Sequence, residues 1–443
     1  MKKKTLLIAL LVLFAMTSVS FAQDYELVTP ERIGNPDAEI VLTANIQRSD
    51  TLFAATDNRK DYIRKAAAEW AKAHPNARID VQVAPTGQIS MTMATLLTQA
   101  ESGNAPDFAH IDSFWIGRFI ENGYTKSLNK YMGEDAVNDF FGFTKDVVMK
   151  DGEMHAIWGE TDARFLYYRK DWIEEPPRTW DETIDLALKM KEEKGVHGFL
   201  AWLGNWEGAV NGNVWPLFWA QDGEMFDENG RPVIGEGKNK EALVNSLGFL
   251  KRLVDTGAAP VMVSSITSSD PMLAEIRSDN VAMVANGSWL YNQIDDIIDD
   301  ADEKWDFVPL PQMKADQRAN SNGGWTWAVL SDDPVKQELA ADYIMRVVGS
   351  KEAMAERTKV YNYLPTRESI YENDPYYSEN ERMIKLGESL EYGNARPANS
   401  LYNTVSELTQ TALGRLLTGQ TDDIEAEVDE IQREALSEWE ANK

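Results

Sequence analysis

The sequence predicts an α/β protein of two lobes, and three observations carry that prediction. Short apolar runs that read as strands alternate with longer helical patterns through the first half of the chain. At 443 residues the chain exceeds what one ordinary hydrophobic core serves. The run WGETDARFLYYRKDW, residues 158–172, gathers a carboxylate, a guanidinium, hydroxyls and aromatic rings into a few positions. Strands that end in such groups border ligand crevices, although a buried strand with a surface ion pair fits that composition equally well.

In order, residues 39–46 (EIVLTANI) read as the first strand, ending on the polar Gln47, Arg48, Ser49 and Asp50. A helix over 57–74 follows, with Tyr62, Ala66 and Trp70 on one face and Pro75 as its stop. Residues 78–83 alternate Ile79, Val81 and Val83, a half-buried strand. Gln88 stands at the start of a helix broken by Gly103 to Pro106, and residues 107–111 form a strand ending on Asp112. Within the central run, Phe165 to Tyr168 favour extended chain. Thr179 and Glu182 form a capping box, and Gly195 stops the helix they open.

The stretch 198–213 (GFLAWLGNWEGAVNGN) reads as a ring-bearing loop rather than a regular element. Residues 227–230 read as a turn between short strands. Residues 238–256 form an amphipathic helix, and 280–285 a strand delivering Asn286, Gly287, Ser288 and Trp289 at its end. A return strand at 305–311 is followed by a strand start at Gly323, Gly324 and Trp325. Asp333 and Pro334 open a helix to Val348, and two helices, 404–417 and 422–439, close the chain.

Composition narrows the function. Lys2 to Lys4, an apolar run at 6–15 and Ser20-Phe21-Ala22 read as a cleavable signal peptide, cut before Gln23. The absence of cysteine removes disulfides, thiolate metal sites and the lipidated cysteine of tethered exported proteins, so a freely diffusing periplasmic protein is expected. Cleavage would remove three lysines and no acid from a chain of net charge -28, which disfavours nucleic acid and anionic membrane as partners. His74, His110, His155 and His197 show no metal-ligand spacing, and no cofactor motif or phosphate-binding loop is present in the sequence. The acidic run 295–303 lacks the glycine of a calcium loop and reads as a charged helix face.

The ordered motifs DGEMHAIWGETDARFLYYRKDW, PPRTWDETIDLALKMK, VAMVANGSWL, FVPLPQ and NGGWTWAVLSDDPVKQELAADYIMRVVGSKEA resemble family 1 extracellular solute-binding proteins, the sugar-binding subunits of bacterial ABC importers of the maltose-binding type. The resemblance spans nearly the whole chain after the leader. It implies the type II periplasmic binding protein fold, with one lobe at 38–161 and 315–362 and the other at 162–312 and 365–440. It also implies a ligand cleft between lobes joined by hinge segments, closure on a carbohydrate, and delivery by a monomer to a membrane permease.

Positions matching that pattern, together with the strand ends, supply the candidate site. Asp112, Asp162 and Arg164 would hydrogen-bond sugar hydroxyls, carboxylate accepting and guanidinium donating. Gln47, Gln88 and Asn286 lie at or near ends of predicted strands. Trp115, Trp158, Trp202, Trp206, Trp215, Trp289 and Trp325 are candidate platforms for pyranose faces, each worth about 1 kcal/mol by analogy with aromatic pairs. Gly323 and Gly324 would admit close backbone approach, and Arg396 and Tyr402 match a late polar and aromatic pair of the family's cleft. Trp70, Trp172, Trp180 and Trp439 fall on helix faces and read as core, while Trp219, Trp327 and Glu207 stay open between core or solvent and ligand.

Three competing functions remain, of which a stand-alone lectin-like binding module needs less chain than two lobes of this size. A glycoside hydrolase needs two carboxylates about 5–10 Å apart, for which Glu160, Asp162 and Glu207 are available, although the crossing motifs do not fit a hydrolase barrel. A binding protein for a non-sugar solute is the closer competitor, and a phosphate ligand would call for a basic or glycine-rich nest.

Overall fold

An eight-stranded and a four-stranded sheet dominate the computed structural model, which describes residues 27–84 and 89–441. The chain lays down β1 (Val28–Thr29), β2 (Arg32–Gly34), β3 (Ile40–Gln47), β4 (Ala77–Ala84) and β5 (Phe108–Asp112). A small hairpin of β6 (Met149–Lys150) and β7 (Glu153–Met154) precedes β8 (Ile157–Thr161), β9 (Arg164–Arg169) and β10 (His197–Ala201). Then come β11 (Val281–Gly287), β12 (Trp305–Pro309), β13 (Asn320–Asn322), β14 (Gly324–Val329), β15 (Leu364–Pro365) and β16 (Gly393–Ala395).

The large sheet runs β1-β2-β4-β3-β5-β14-β8-β15. Its β4-β3-β5 centre is parallel, as crossover helices require, while β14 lies antiparallel to both β5 and β8. The small sheet runs β10-β11-β9-β12, with β10 parallel and β9 antiparallel to β11. The strands nearest the site are buried on both faces: every residue of β5, β8, β9 and β11 is buried, polar ones included, so none shows the in-and-out alternation of a half-exposed strand. The chain passes from the large sheet to the small one at Asp162-Ala163 and returns between β12 and β14, through β13, which pairs only with β16.

Local signals hold where the sequence carried them. Thr179 accepts from the Glu182 amide while the Glu182 carboxylate reaches back to the Thr179 amide, and Gly195 ends that helix at φ 72°. Asp333 caps the helix Pro334–Ile344, but a π-helical turn, Met345–Gly349, completes the expected length. Trp70 and Trp180 are core, as is Trp327, whereas Trp172, Trp219 and Trp439 are half-buried.

The 198–213 stretch is a correction. It holds strand β10 and the helix Glu207–Asn213, with only a five-residue link between them. Its glycines mark close packing rather than loop. A Cβ on Gly198 would lie 2.1 Å from the Ala187 carbonyl oxygen, on Gly208 2.2 Å from the Trp206 ring, and on Gly212 2.7 Å from the Trp202 indole nitrogen. The turn at 227–230 is flanked by a lone β-bridge, Phe226 with Pro232, not by strands.

Behind the large sheet's carboxyl ends lies a fully buried ion cluster. Arg357 donates to both oxygens of Glu160, at 2.8 and 2.9 Å, and pairs with Asp50. Burial raises the Glu160 carboxyl, opposed by Arg357. Removing the shared cation strands two buried carboxylates. Arg357→Met is expected to destabilise the chain by about 3–5 kcal/mol, read from the urea midpoint.

Candidate functional site

The site grows from six strand ends. Because β14 is antiparallel to its neighbours, its start meets the ends of β5 and β8: Trp325 stands opposite Asp112 on one side and Glu160 on the other, and Gly324 opposite Thr161. In the small sheet the start of β9 meets the ends of β11 and, one strand further, β10: Arg164 stands opposite Gly287, and Ala285 opposite Ala201. The two sets of ends face one cavity of about 1090 Å³. Ligands of open α/β sheets sit at such carboxyl ends.

Two ion-pair groups organise its polar wall. Arg164 donates to Asp162 Oδ1 at 2.9 Å, and the same oxygen accepts from the Gly323 amide at 3.2 Å. The second is centred on Arg396, which donates to Asp112 at 3.0 Å and to Glu207 at 3.3 Å, and lies 4.3 Å over the Phe114 ring. Glu207 also accepts from the Tyr402 hydroxyl at 2.6 Å and from Ser406. Arg396 thus links the end of β5 in the large sheet to the helix that follows β10 in the small one.

The aromatic wall is a run of touching indoles. Trp202 packs edge-on to Trp206 at 5.5 Å and tilted against Trp289 at 5.4 Å, and the Arg164 guanidinium sits 5.0 Å over Trp289. Gly287 lets the Trp289 ring fold back, since a Cβ there would be 2.1 Å from it. Across the cavity lie Trp325 and Trp115.

Of the residues singled out from sequence, Asp112, Trp115, Asp162, Arg164, Trp202 and Trp206 line the cavity, together with Glu207, Trp289, Gly323, Gly324, Trp325 and Arg396. Gln88 lies outside the described residues. Five others stand elsewhere. Gln47 ends β3 and is not among the residues that line the cavity. Trp158 is fully buried edge-on to Phe143 at 5.4 Å, and Trp215 is fully buried, donating to Tyr402 at 3.0 Å, so neither presents a ring face as a platform. Asn286 is buried and bonds its own neighbourhood, Ser269 and the Gly287 amide. Tyr402, also buried, acts through its bond to Glu207.

Sequence reading passed over Asn403, Ser406, Glu407 and Gln410, which line the cavity from the helix Tyr402–Leu417. Their spacing of i, i+3, i+4, i+7 is one helical face, a polar stripe that was visible in the sequence.

Burial sets the protonation of the wall. It pushes the Asp112 carboxyl up to about 6 against the pull of Arg396 and of the Phe114 amide. It likewise raises Asp162, opposed by Arg164 and Arg396. Burial works against the Arg396 charge, but Asp112 and Glu207 together hold it above the ordinary guanidinium value. A carboxyl raised from 3.8 to about 6 gives stability that is full below the unfolded value and lost as pH rises through the folded one. Asp112→Asn is therefore expected to gain about 3 kcal/mol relative to the parent chain between pH 3.5 and pH 7, measured by urea unfolding at each pH.

Comparison with known proteins gives concordant results. The family described as bacterial extracellular solute-binding protein matches residues 56–355. An arabinooligosaccharide-binding protein of Halalkalibacterium halodurans is 23% identical over 346 residues, 74% of this chain and 74% of that protein. Among solved structures, maltose-bound MalE3 of T. maritima superposes with a TM-score of 0.72 at 22% identity, covering 89% of this chain and 99% of that one. The sugar-binding protein MalE of Xanthomonas citri reaches 0.74 at 19% identity, covering 90% and 98%.

Proposed function

We propose, for a chain that belongs to the bacterial extracellular solute-binding proteins, that it captures an oligosaccharide between its two sheets and delivers it to the permease of an ABC importer. The observation that carries this reading is the wall of the 1090 Å³ cavity, where a contiguous set of indoles faces carboxylate–guanidinium pairs. Pyranose rings present apolar CH faces and a belt of hydroxyls that both donate and accept. Indoles take the faces, at about 1 kcal/mol each, and the ion pairs take the belt. The volume exceeds what one small solute needs and lies just above the range of ordinary ligand clefts, about 300–1,000 Å³.

The relatives support the same class. The H. halodurans protein is named for arabinooligosaccharides, and the T. maritima structure holds maltose. Hinge closure would move a body of 38–161 with 315–362 against one of 162–312 with 365–440. The chain would act as a periplasmic monomer, exported by the leader at 1–22.

A hydrolytic role has less support. Glu160 is held by both oxygens on Arg357, and Glu207 is committed to Arg396, Tyr402 and Ser406, so neither is an uncommitted acid or nucleophile.

Titration with a panel of neutral oligosaccharides should give a saturable shift in tryptophan fluorescence and a rise in melting temperature, with no product formed. Trp289→Ala is expected to weaken binding about tenfold while the chain stays folded, with a cooperative melt at a lowered temperature because Trp202 and Arg164 lose a packing partner. Sugar turnover abolished by Asp162→Asn would replace this reading with a hydrolase. No response to any sugar would replace it with a non-carbohydrate solute.

A further inference from the structure

We propose that the cleft selects against anionic saccharides, because both of its guanidinium groups are already neutralised by its own carboxylates. The inference rests on the carbohydrate reading and narrows it to uncharged chains. Among the described residues, the cavity wall carries two cations, Arg164 and Arg396, and no lysine or histidine. Residues 85–88, outside the described set, are Pro, Thr, Gly and Gln and add no charge. Arg164 is paired with Asp162 at 2.9 Å, and Arg396 with Asp112 at 3.0 Å and Glu207 at 3.3 Å. Glu407 adds a further carboxylate at the exposed rim. The fifth acid, Glu160, is answered from behind by Arg357, which it shares with Asp50.

Recognition of a uronate, sulfate or phosphate uses a guanidinium whose charge is not already balanced by the protein. Here Arg164 and Arg396 each keep an unpartnered Nε–H, but an anion bound there would share its cation with Asp162 or Asp112 and weaken the pairing of that buried carboxylate. It would also sit beside the remaining acids in a site of reduced dielectric. A hydroxyl faces neither penalty. An ionised carboxylate has about four acceptor positions, so Asp162 and Asp112 can keep their arginines and still accept from a sugar.

The test uses one ligand in three forms. The neutral oligosaccharide that the full chain binds most tightly is oxidised at a primary hydroxyl to the uronate, and the uronate is then converted to its methyl ester. Calorimetry at low ionic strength should show the uronate weakened about a hundredfold or more, and the ester restored to within about tenfold of the parent. Asp162→Asn, with folding checked by its melting temperature, should narrow the gap between parent and uronate about tenfold by leaving the Arg164 charge unbalanced.

A uronate that binds as tightly as the neutral parent overturns the selection and leaves the carbohydrate reading standing. An ester as weak as the uronate also overturns it, since the loss would then be steric. Failure of every neutral oligosaccharide to bind overturns the carbohydrate reading, and this inference with it.

Discussion

The cleft exists because Asp162 ties together the two passages of the chain between its sheets. Its side chain accepts from Arg164 and from the Gly323 amide, and its carbonyl accepts from Asn322 at 2.7 Å. Asn320 completes the knot, accepting from the Arg164 amide at 2.6 Å and donating to the Arg164 carbonyl at 3.1 Å. Asn320, Ser321 and Asn322 are all buried, so the two asparagine amides depend on these partners and the Ser321 hydroxyl on Asn211. With both passages fixed there, the ends of β5, β8 and β14 must face the ends of β9, β10 and β11. Everything the cavity presents follows from that alignment.

The same constraint explains why charged groups tolerate burial in the wall. Each carboxylate of the two ion-pair groups has a guanidinium within hydrogen-bond reach, and each guanidinium lies against an aromatic ring: Arg164 on Trp289, Arg396 on Phe114. Rings and ions hold one another in place before any ligand arrives, which lowers the ordering cost of binding. The cluster of Arg357, Glu160 and Asp50 anchors the large-sheet side from behind, where His110 is stacked at 4.3 Å on Trp327 and burial keeps its ring neutral, pushed down to about 3.

Much of this was legible in the sequence wherever the signal was local. The capping box at Thr179 and Glu182, the stop at Gly195 and the period-two strand at 78–83 each depend on neighbours a few residues away, and each stands where the sequence puts it. The reading failed at 198–213 because glycine there answers to close packing, Gly198 against Ala187 of the preceding helix and Gly208 and Gly212 against the folded-back rings of Trp206 and Trp202. It also failed for Trp158 and Trp215, because a tryptophan near a cleft and one beneath it look alike in sequence. The stripe of Asn403, Ser406, Glu407 and Gln410 carried its own helical spacing, but nothing local said that this face meets the cavity.

What the sequence by itself determined is the alternation of strands and helices, the stock of indoles, carboxylates and arginines, and their order along the chain. Only the tertiary structure decided which carboxylate meets which guanidinium. Asp112, Glu207 and Arg396 are separated by up to 284 residues, and their contact depends on how two sheets are set against each other. Helical period and capping act over one or two turns, whereas ion pairing and ring stacking across a cleft act through space. That is why the inventory of the site could be read from the chain, and its wiring could not.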